Sequence, residues 1–271
     1  MINIDATLAQ AIGHHNARHF ADAVALYRQV VAVAPEHFDT RLLLGSALNA
    51  MGDWAEAAAH LETACGLEPE NRDAALLLAT ALGRLGRDED AGHAYRRAAQ
   101  LAPDDEDAYL KAAEHLKKAG DVPGAVKALD ALIARDPRHH QAYVELGRLA
   151  SHAWAFDKAE LAFRKVIELA PDHADAHLQL GRTLIVLSRF GDAQSVLDKA
   201  AALAPGDYSP RYFQGRARQL AGDWDGALDC FRNAMSINPN AFKAIVKSLE
   251  WSPTGGVLYL NLDQLRDDLS R

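Results

Sequence analysis

The chain has 271 residues, of which 49% are hydrophobic and 24% charged, and its formal net charge is −8. This mild acidity and the lack of a basic tract disfavour binding to nucleic acid, because phosphate backbones require clustered lysine and arginine. Residues 1–20 contain neither the apolar core of a secretory signal nor a membrane span, so we expect a cytoplasmic protein with no membrane partner.

Prolines recur along the chain at intervals of 34 residues and predict a repeat array. They are Pro35, Pro69, Pro103, Pro137, Pro171, Pro205 and Pro239. An alanine column has the same period: Ala23, Ala57, Ala91, Ala125, Ala159, Ala193 and Ala227. A second column of alanine or glycine lies twelve residues before it. Because only small side chains fit where two helices cross closely, each period predicts one helical crossing.

We therefore divide the chain into windows, each predicted to form two antiparallel helices. The windows are 4–37, 38–71, 72–105, 106–139, 140–173, 174–207 and 208–241. Turn glycines, at Gly52, Gly86, Gly120 and Gly222, separate the two helices, and the proline ends the second one. A capping helix at 242–251 completes an array over residues 1–251. The tail at 252–271 is predicted to hold a short strand at 257–262 and a short helix at 263–269.

The second window shows the repeat pattern well. Its residues are Leu44, Gly45, Gly52, Trp54, Ala57, Leu61, Ala64 and Pro69. This pattern resembles the tetratricopeptide repeat family, and the resemblance extends over residues 4–241. It implies an all-α fold, a right-handed α-solenoid superhelix of stacked antiparallel helix hairpins with one concave groove. Departures from the pattern occur at Gln10, His14, Val122, Gln214, Arg218 and Trp154, which replaces a turn glycine.

The resemblance also implies that two columns of the first helices face the groove. The apolar column is Leu8, Leu42, Leu76, Leu110, Val144, Leu178 and Tyr212. The column one helical turn later is Ile12, Ser46, Thr80, Glu114, Arg148, Arg182 and Arg216. We expect the first column to bind aliphatic side chains and the three arginines to bind carboxylates. The alternatives are that the apolar residues pack between hairpins and that the arginines pair with neighbours such as Glu145 or Asp175.

Two ligand-binding arrangements known in the family are absent from this sequence. The lysines with which chaperone-binding members hold a C-terminal carboxylate would fall at Leu8, Leu42 and Leu76. The asparagine ladder of O-linked N-acetylglucosamine transferases would fall at Leu43, Leu77, Lys111, Glu145, Gln179 and Phe213. We therefore expect a protein partner that places an amphipathic helix or an extended peptide in the groove.

The sequence contains no recognisable catalytic motif and predicts neither a cofactor nor a metal. It lacks a phosphate-binding loop, a nucleophile elbow and a zinc-spaced set of cysteines and histidines. His15 with His19, and His173 with His177, have helical spacing but straddle predicted helix breaks, so we expect chelators to leave the thermal stability unchanged. Cys65 and Cys230 lie in distant windows and are expected to stay unpaired.

Two functions follow as alternatives. The favoured one is a non-catalytic scaffold for protein–protein interaction, with homo-oligomerisation left open. The other is the substrate-recognition region of a glycosyltransferase or sulfotransferase, to which similar bacterial repeats are often fused. A reading frame that stops after Arg271 would exclude this second function, whereas a long continuation would favour it.

Overall fold

The structure is a computed structural model and describes residues 3–250 and Leu269. In this part the chain forms 15 α-helices and no β-strand. The all-α prediction is therefore confirmed. The strand expected at 257–262 lies outside the described residues, as does the helix expected at 263–269 apart from Leu269.

The helices follow the predicted windows closely. The first helices are α1 (Ile4–Asn16), α3 (Phe38–Met51), α5 (Arg72–Arg84), α7 (Glu106–Ala119), α9 (His140–His152), α11 (Ala174–Val186) and α13 (Ser209–Leu220). The second helices are α2 (Phe20–Val33), α4 (Trp54–Leu67), α6 (Asp88–Leu101), α8 (Val122–Arg135), α10 (Phe156–Leu169), α12 (Phe190–Leu203) and α14 (Trp224–Ile237). A last helix, α15 (Ala241–Glu250), lies at the predicted cap.

Polar side chains explain why six of the first helices begin where they do. Each accepts a hydrogen bond from the backbone N–H three residues later and so satisfies a donor that the helix leaves unpaired. The capping residues are Asn3, His37, Asn71, Asp105, His139 and His173. The three histidines accept through Nδ1. Helix capping thus accounts for their presence without a metal.

Left-handed backbone conformation closes the turn inside each hairpin. Four hairpins use glycine, as predicted, with φ from +73° to +88°: Gly52, Gly86, Gly120 and Gly222. The other three place Arg18, Trp154 and Ser188 in this region, with φ of 61°, 59° and 59°. A residue with a Cβ is less stable there by about 1–2 kcal/mol. At these three positions the backbone conformation is therefore energetically unfavourable.

Small residues let the two helices of a hairpin approach closely. A Cβ atom on Gly147 would lie 2.6 Å from Cε1 of Phe163, and one on Gly181 would lie 2.5 Å from Cγ of Leu197. The alanine column is buried throughout, with at most 1% of any of its residues exposed. Large residues such as Phe163 fill the space opposite and are themselves buried. The predicted crossings are confirmed.

The chain divides into two compact units, Met1–Pro137 and Arg138–Arg271. The first contains the hairpins α1–α8, and the second contains the hairpins α9–α14 together with α15. Inside each unit every hairpin packs on the next, as α2 does on α3 and α10 on α11. Some neighbouring first helices also contact each other, such as α3 with α5 and α11 with α13. Each unit is thus a stack of helical hairpins, the arrangement of an α-solenoid.

The last helix closes the core of the second unit. α15 packs against α13 and α14, and Ile245 is fully buried beside Phe231. Leu269 is 3% exposed and belongs to the same cluster. Leu269 therefore packs on the core that the final hairpin shares with α15.

Two half-buried histidines of the first unit are expected to make its stability depend on pH. His15 Nδ1 lies 3.4 Å from the hydroxyl of Tyr27, and burial lowers the pKa of His15 below its usual value of 6.5. Burial, reinforced by the charge of Arg41, also lowers the pKa of His60, although Glu56 opposes this. Below pH about 6.5 these two imidazoles therefore bind more protons in the unfolded chain than in the folded one, so we expect acid to reduce the stability.

We expect the melting temperature to fall when the pH is lowered from about 7.5 to about 5.5. Replacing both histidines, His15→Gln with His60→Gln, should flatten this dependence, because the two groups no longer gain protons on unfolding. Circular dichroism at several pH values measures it, and His93→Gln, an exposed change on α6, controls for the substitution. An equal pH slope in the double variant would contradict the assignment.

Candidate functional site

In the first unit, the predicted groove residues are half-buried apart from the exposed Glu114: Leu42, Ser46, Leu76, Thr80, Leu110 and Glu114. Leu42 packs against the core of its unit. The Thr80 hydroxyl donates to the Leu76 carbonyl at 2.9 Å. Lys118 donates to Glu114 at 2.6 Å and lowers the pKa of that carboxyl. Thr80 and Glu114 thus already have partners within the chain.

The apolar column of the second unit belongs largely to its core. Val144 is 1% exposed and packs with Val166 and Ala176. The expectation that Val144 lines the groove is therefore corrected, because α10 and α11 cover it. Leu178 and Tyr212 are half-buried and pack against core clusters. Packing between hairpins, the alternative that the sequence left open, accounts for these residues.

Arg148 has carboxylate partners within the chain. It donates to Glu145 at 2.8 Å and to Asp175 at 2.9 Å. Burial by itself would lower the pKa of the Arg148 guanidinium, but the hydrogen bond to Asp175 and the charges of both carboxylates raise it above its usual value. The pairing considered from the sequence is thus present, and this arginine is occupied.

Arg182 and Arg216 have only neutral partners in the described part of the chain. Arg182 Nη1 donates to Gln179 Oε1 at 2.9 Å, and the guanidinium lies 5.0 Å from the ring centroid of Phe213. Arg216 Nη1 donates to a glutamine and to the carbonyl of Ser248, the latter at 2.9 Å. The described residues place no carboxylate within 4.0 Å of either guanidinium. Among the described residues, both cations are therefore held in place without a carboxylate partner.

The repeated sequence already distinguishes Arg148 from Arg182 and Arg216. The positions that correspond to Glu145 and Asp175 hold Gln179 and Ser209 one repeat later, and Phe213 and Lys243 two repeats later. The carboxylates that neutralise Arg148 are thus replaced by neutral or basic residues beside Arg182 and Arg216. Comparing partner positions across the windows would have found this difference.

A cleft of about 520 Å³ brings Arg148, Arg182 and Arg216 together with apolar side chains. Residues of α9, α11 and α13 line it, and Trp154 and Val186 contribute to its wall. Trp154 is 81% exposed and Val186 54% exposed. The sequence singled out Trp154 only as a departure from the turn glycine and did not assign it to the groove.

Among the described residues, one group of side chains could approach a metal ion, and it was not identified from the sequence. The turn of the first hairpin brings His14, His19 and Asp22 together, with ligand atoms within 4.8 Å of one another. Ligand atoms around tetrahedral zinc lie about 3.3 Å apart, so these partly exposed side chains would have to move closer. His15, considered earlier with His19, instead contacts Tyr27. Chelator-independent stability stays a prediction, and this group is the place to test it.

Comparison with known proteins identifies the repeat. Residues 8–65, 43–106 and 110–174 match one family model described as tetratricopeptide repeat, and residues 153–218 match a second with the same description. Together these matches cover more than half of the chain. No curated protein matches the sequence. In the described part of the chain, none of the helices combines the length and apolar character that crossing a membrane requires.

Solved structures share the fold at low sequence identity. MamA is 21% identical with a TM-score of 0.58, over 65% of this chain and 96% of that chain. The C-terminal part of a TPR repeat-containing protein from Cytophaga hutchinsonii is 17% identical with a TM-score of 0.64, over 89% and 99%. YrrB, described as a TPR protein with an unusual peptide-binding site, is 19% identical with a TM-score of 0.56, over 69% and 98%. These likenesses show the fold.

Proposed function

Because the chain belongs to the tetratricopeptide repeat family, whose repeats typically form non-catalytic scaffolds for protein partners, we propose that it binds a peptide segment of a partner protein in the cleft of its second unit. The proposal involves no catalytic residue, no cofactor, and neither nucleic acid nor membrane as partner. We also propose that the protein is cytoplasmic.

Trp154 is the observation that carries this proposal. Its left-handed backbone, with φ of 59°, is unfavourable for a residue with a Cβ. Its indole makes an edge contact with Phe156, with centroids 5.9 Å apart, yet remains 81% exposed. Both the left-handed backbone and the exposed indole reduce the stability of the free protein. Unfavourable backbone and exposed aromatic surface concentrate at binding sites, where a ligand covers the ring.

The composition of the cleft also suits a peptide. Exposed apolar surface from Trp154 and Val186 lines the same cleft as three arginines, and protein-binding surfaces commonly combine aromatic residues with arginine. A volume of about 520 Å³ accommodates a few side chains. The similar protein YrrB is itself described as having a peptide-binding site, which gives a precedent for peptide binding on this fold.

Replacing Trp154 by glycine separates binding from stability. We expect Trp154→Gly to melt no lower than the parent, and to gain up to about 1 kcal/mol, because glycine adopts the left-handed turn without steric strain. The same change should weaken a bound peptide at least about tenfold, because it removes an aromatic contact residue. Peptides for this test come from a phage-displayed random library selected on the full chain.

Leu161→Ala is the matched control. Leu161 is 70% exposed on α10 and does not line the cleft, so its removal should leave peptide affinity unchanged. Affinities measured by fluorescence anisotropy compare the two variants with the parent. A library that yields no binder, or peptides that bind Trp154→Gly as tightly as the parent, would contradict the proposed function.

A further inference from the structure

The charges of the cleft indicate which peptide it takes. The chain is acidic overall, with a net charge of −8, and arginines such as Arg148 and Arg189 contact carboxylates. Among the described residues, the hydrogen-bond partners of Arg182 and Arg216 are instead amide and carbonyl oxygens. Each arginine makes these hydrogen bonds through Nη1, whereas a guanidinium carries five N–H donors in all. Both arginines therefore retain donors for an anionic ligand.

The contacts of the two arginines also hold them ready for a ligand. The Arg182 guanidinium lies over Phe213 and is fixed by Gln179, and Arg216 is tied to α15 through the carbonyl of Ser248. A cation already held in one orientation loses less side-chain entropy on binding than a freely rotating one. An anion that binds here therefore gains both charge complementarity and a preorganised donor.

We propose, as a refinement that rests on the proposed function, that the bound peptide presents one Asp or Glu side chain to Arg182 and another to Arg216, next to a bulky apolar side chain on Trp154. A carboxylate fits the guanidinium fork through two parallel hydrogen bonds.

The occupant is an internal acidic segment of the partner protein. Arg182 and Arg216 hold equivalent positions, 34 residues apart, on the neighbouring helices α11 and α13. A peptide that crosses these helices can place acidic side chains at both positions, whereas a chain end supplies one carboxylate at its terminus. Arg148 does not add to the attraction, because Glu145 and Asp175 neutralise it.

A double-mutant cycle between protein and peptide tests this chemistry. Peptides selected from a phage-displayed library are synthesised with an amidated C-terminus, and each acidic residue is replaced by its amide. We expect the decisive Glu→Gln change in the peptide and Arg182→Gln in the protein each to weaken binding about tenfold. Combining them should add little further loss. Arg216→Gln should behave similarly, and raised salt should weaken the parent complex more than the Arg182→Gln complex.

Arg189→Gln is the control for removing a positive charge. Arg189 contacts Glu160 and Asp192 and does not line the cleft, so its change should leave affinity nearly unaltered. Circular dichroism confirms that all variants are equally helical. Trp154→Gly is measured with the same peptides, so that the two proposals can fail separately.

The outcomes are distinct. Peptides that need Trp154 but bind equally well with Gln in place of Glu would overturn the acidic ligand and leave the proposed function standing. Peptides that require a free C-terminal carboxylate would overturn the internal segment. Peptides indifferent to both Trp154 and Arg182 would overturn both proposals.

Discussion

Phe163→Ala is expected to destabilise the second unit by about 3–5 kcal/mol. Phe163 is 1% exposed and packs in the cluster that contains Leu180, Leu184 and Ala193. Truncating Phe163 removes buried apolar surface and leaves a cavity. The cavity stays open because α10 is held in place by α9 and α11, which pack against it. Urea unfolding followed by circular dichroism should show a lower midpoint.

Leu161→Ala, two residues away on the same helix, is the comparison for this change. Because Leu161 is 70% exposed, its truncation should alter the stability by no more than about 0.5 kcal/mol. Equal effects of the two substitutions would show that Phe163 is not a core residue. A large effect confined to Phe163→Ala would agree with the packing of α10 described above.

Gly147→Leu is expected to destabilise the same hairpin by about 3 kcal/mol through overpacking. A Cβ on Gly147 would lie 2.6, 2.7 and 2.9 Å from three ring atoms of Phe163. The ring is buried and cannot swing away, so α9 and α10 must separate. Gly191→Ala is the control, because nothing lies within 4 Å of a Cβ at that position. Its stability should be unchanged or slightly higher.

The double variant Gly147→Leu with Phe163→Ala tests whether the two losses share one cause. If the side chains compete for one space, the leucine partly fills the cavity left by the phenylalanine. The combined loss should then be smaller than the sum of the single losses, as for residues in direct contact. Simple additivity would contradict the crossing of α9 and α10 at these residues.

Much of the fold could be predicted because its determinants are local and periodic. The turn glycines, the proline after each second helix and the alanine column fix helix limits and crossings within one window. The same reasoning failed at Val144, because the position of a residue in a repeat column does not specify how far the next hairpin covers it. Burial there depends on the side chains of α10 and α11.

The candidate site was only partly visible in the sequence. The arginines at 148, 182 and 216 form one column, yet their charges differ in availability because Glu145 and Asp175 accompany the first alone. Trp154 was noticed as an irregular turn residue. That its exposed ring lines the same cleft as Arg182 depends on tertiary packing, which periodicity does not report.

The indole N–H signals of the tryptophans offer the most direct test of peptide binding in the second unit. The chain has 4 tryptophans, and the signal missing from Trp154→Gly identifies the one of interest in ¹H–¹⁵N spectra. On addition of a selected peptide we expect the Trp154 signal to shift, while that of Trp54, in the first unit, stays in place. A peptide that binds and leaves the Trp154 signal unchanged would contradict binding in this cleft.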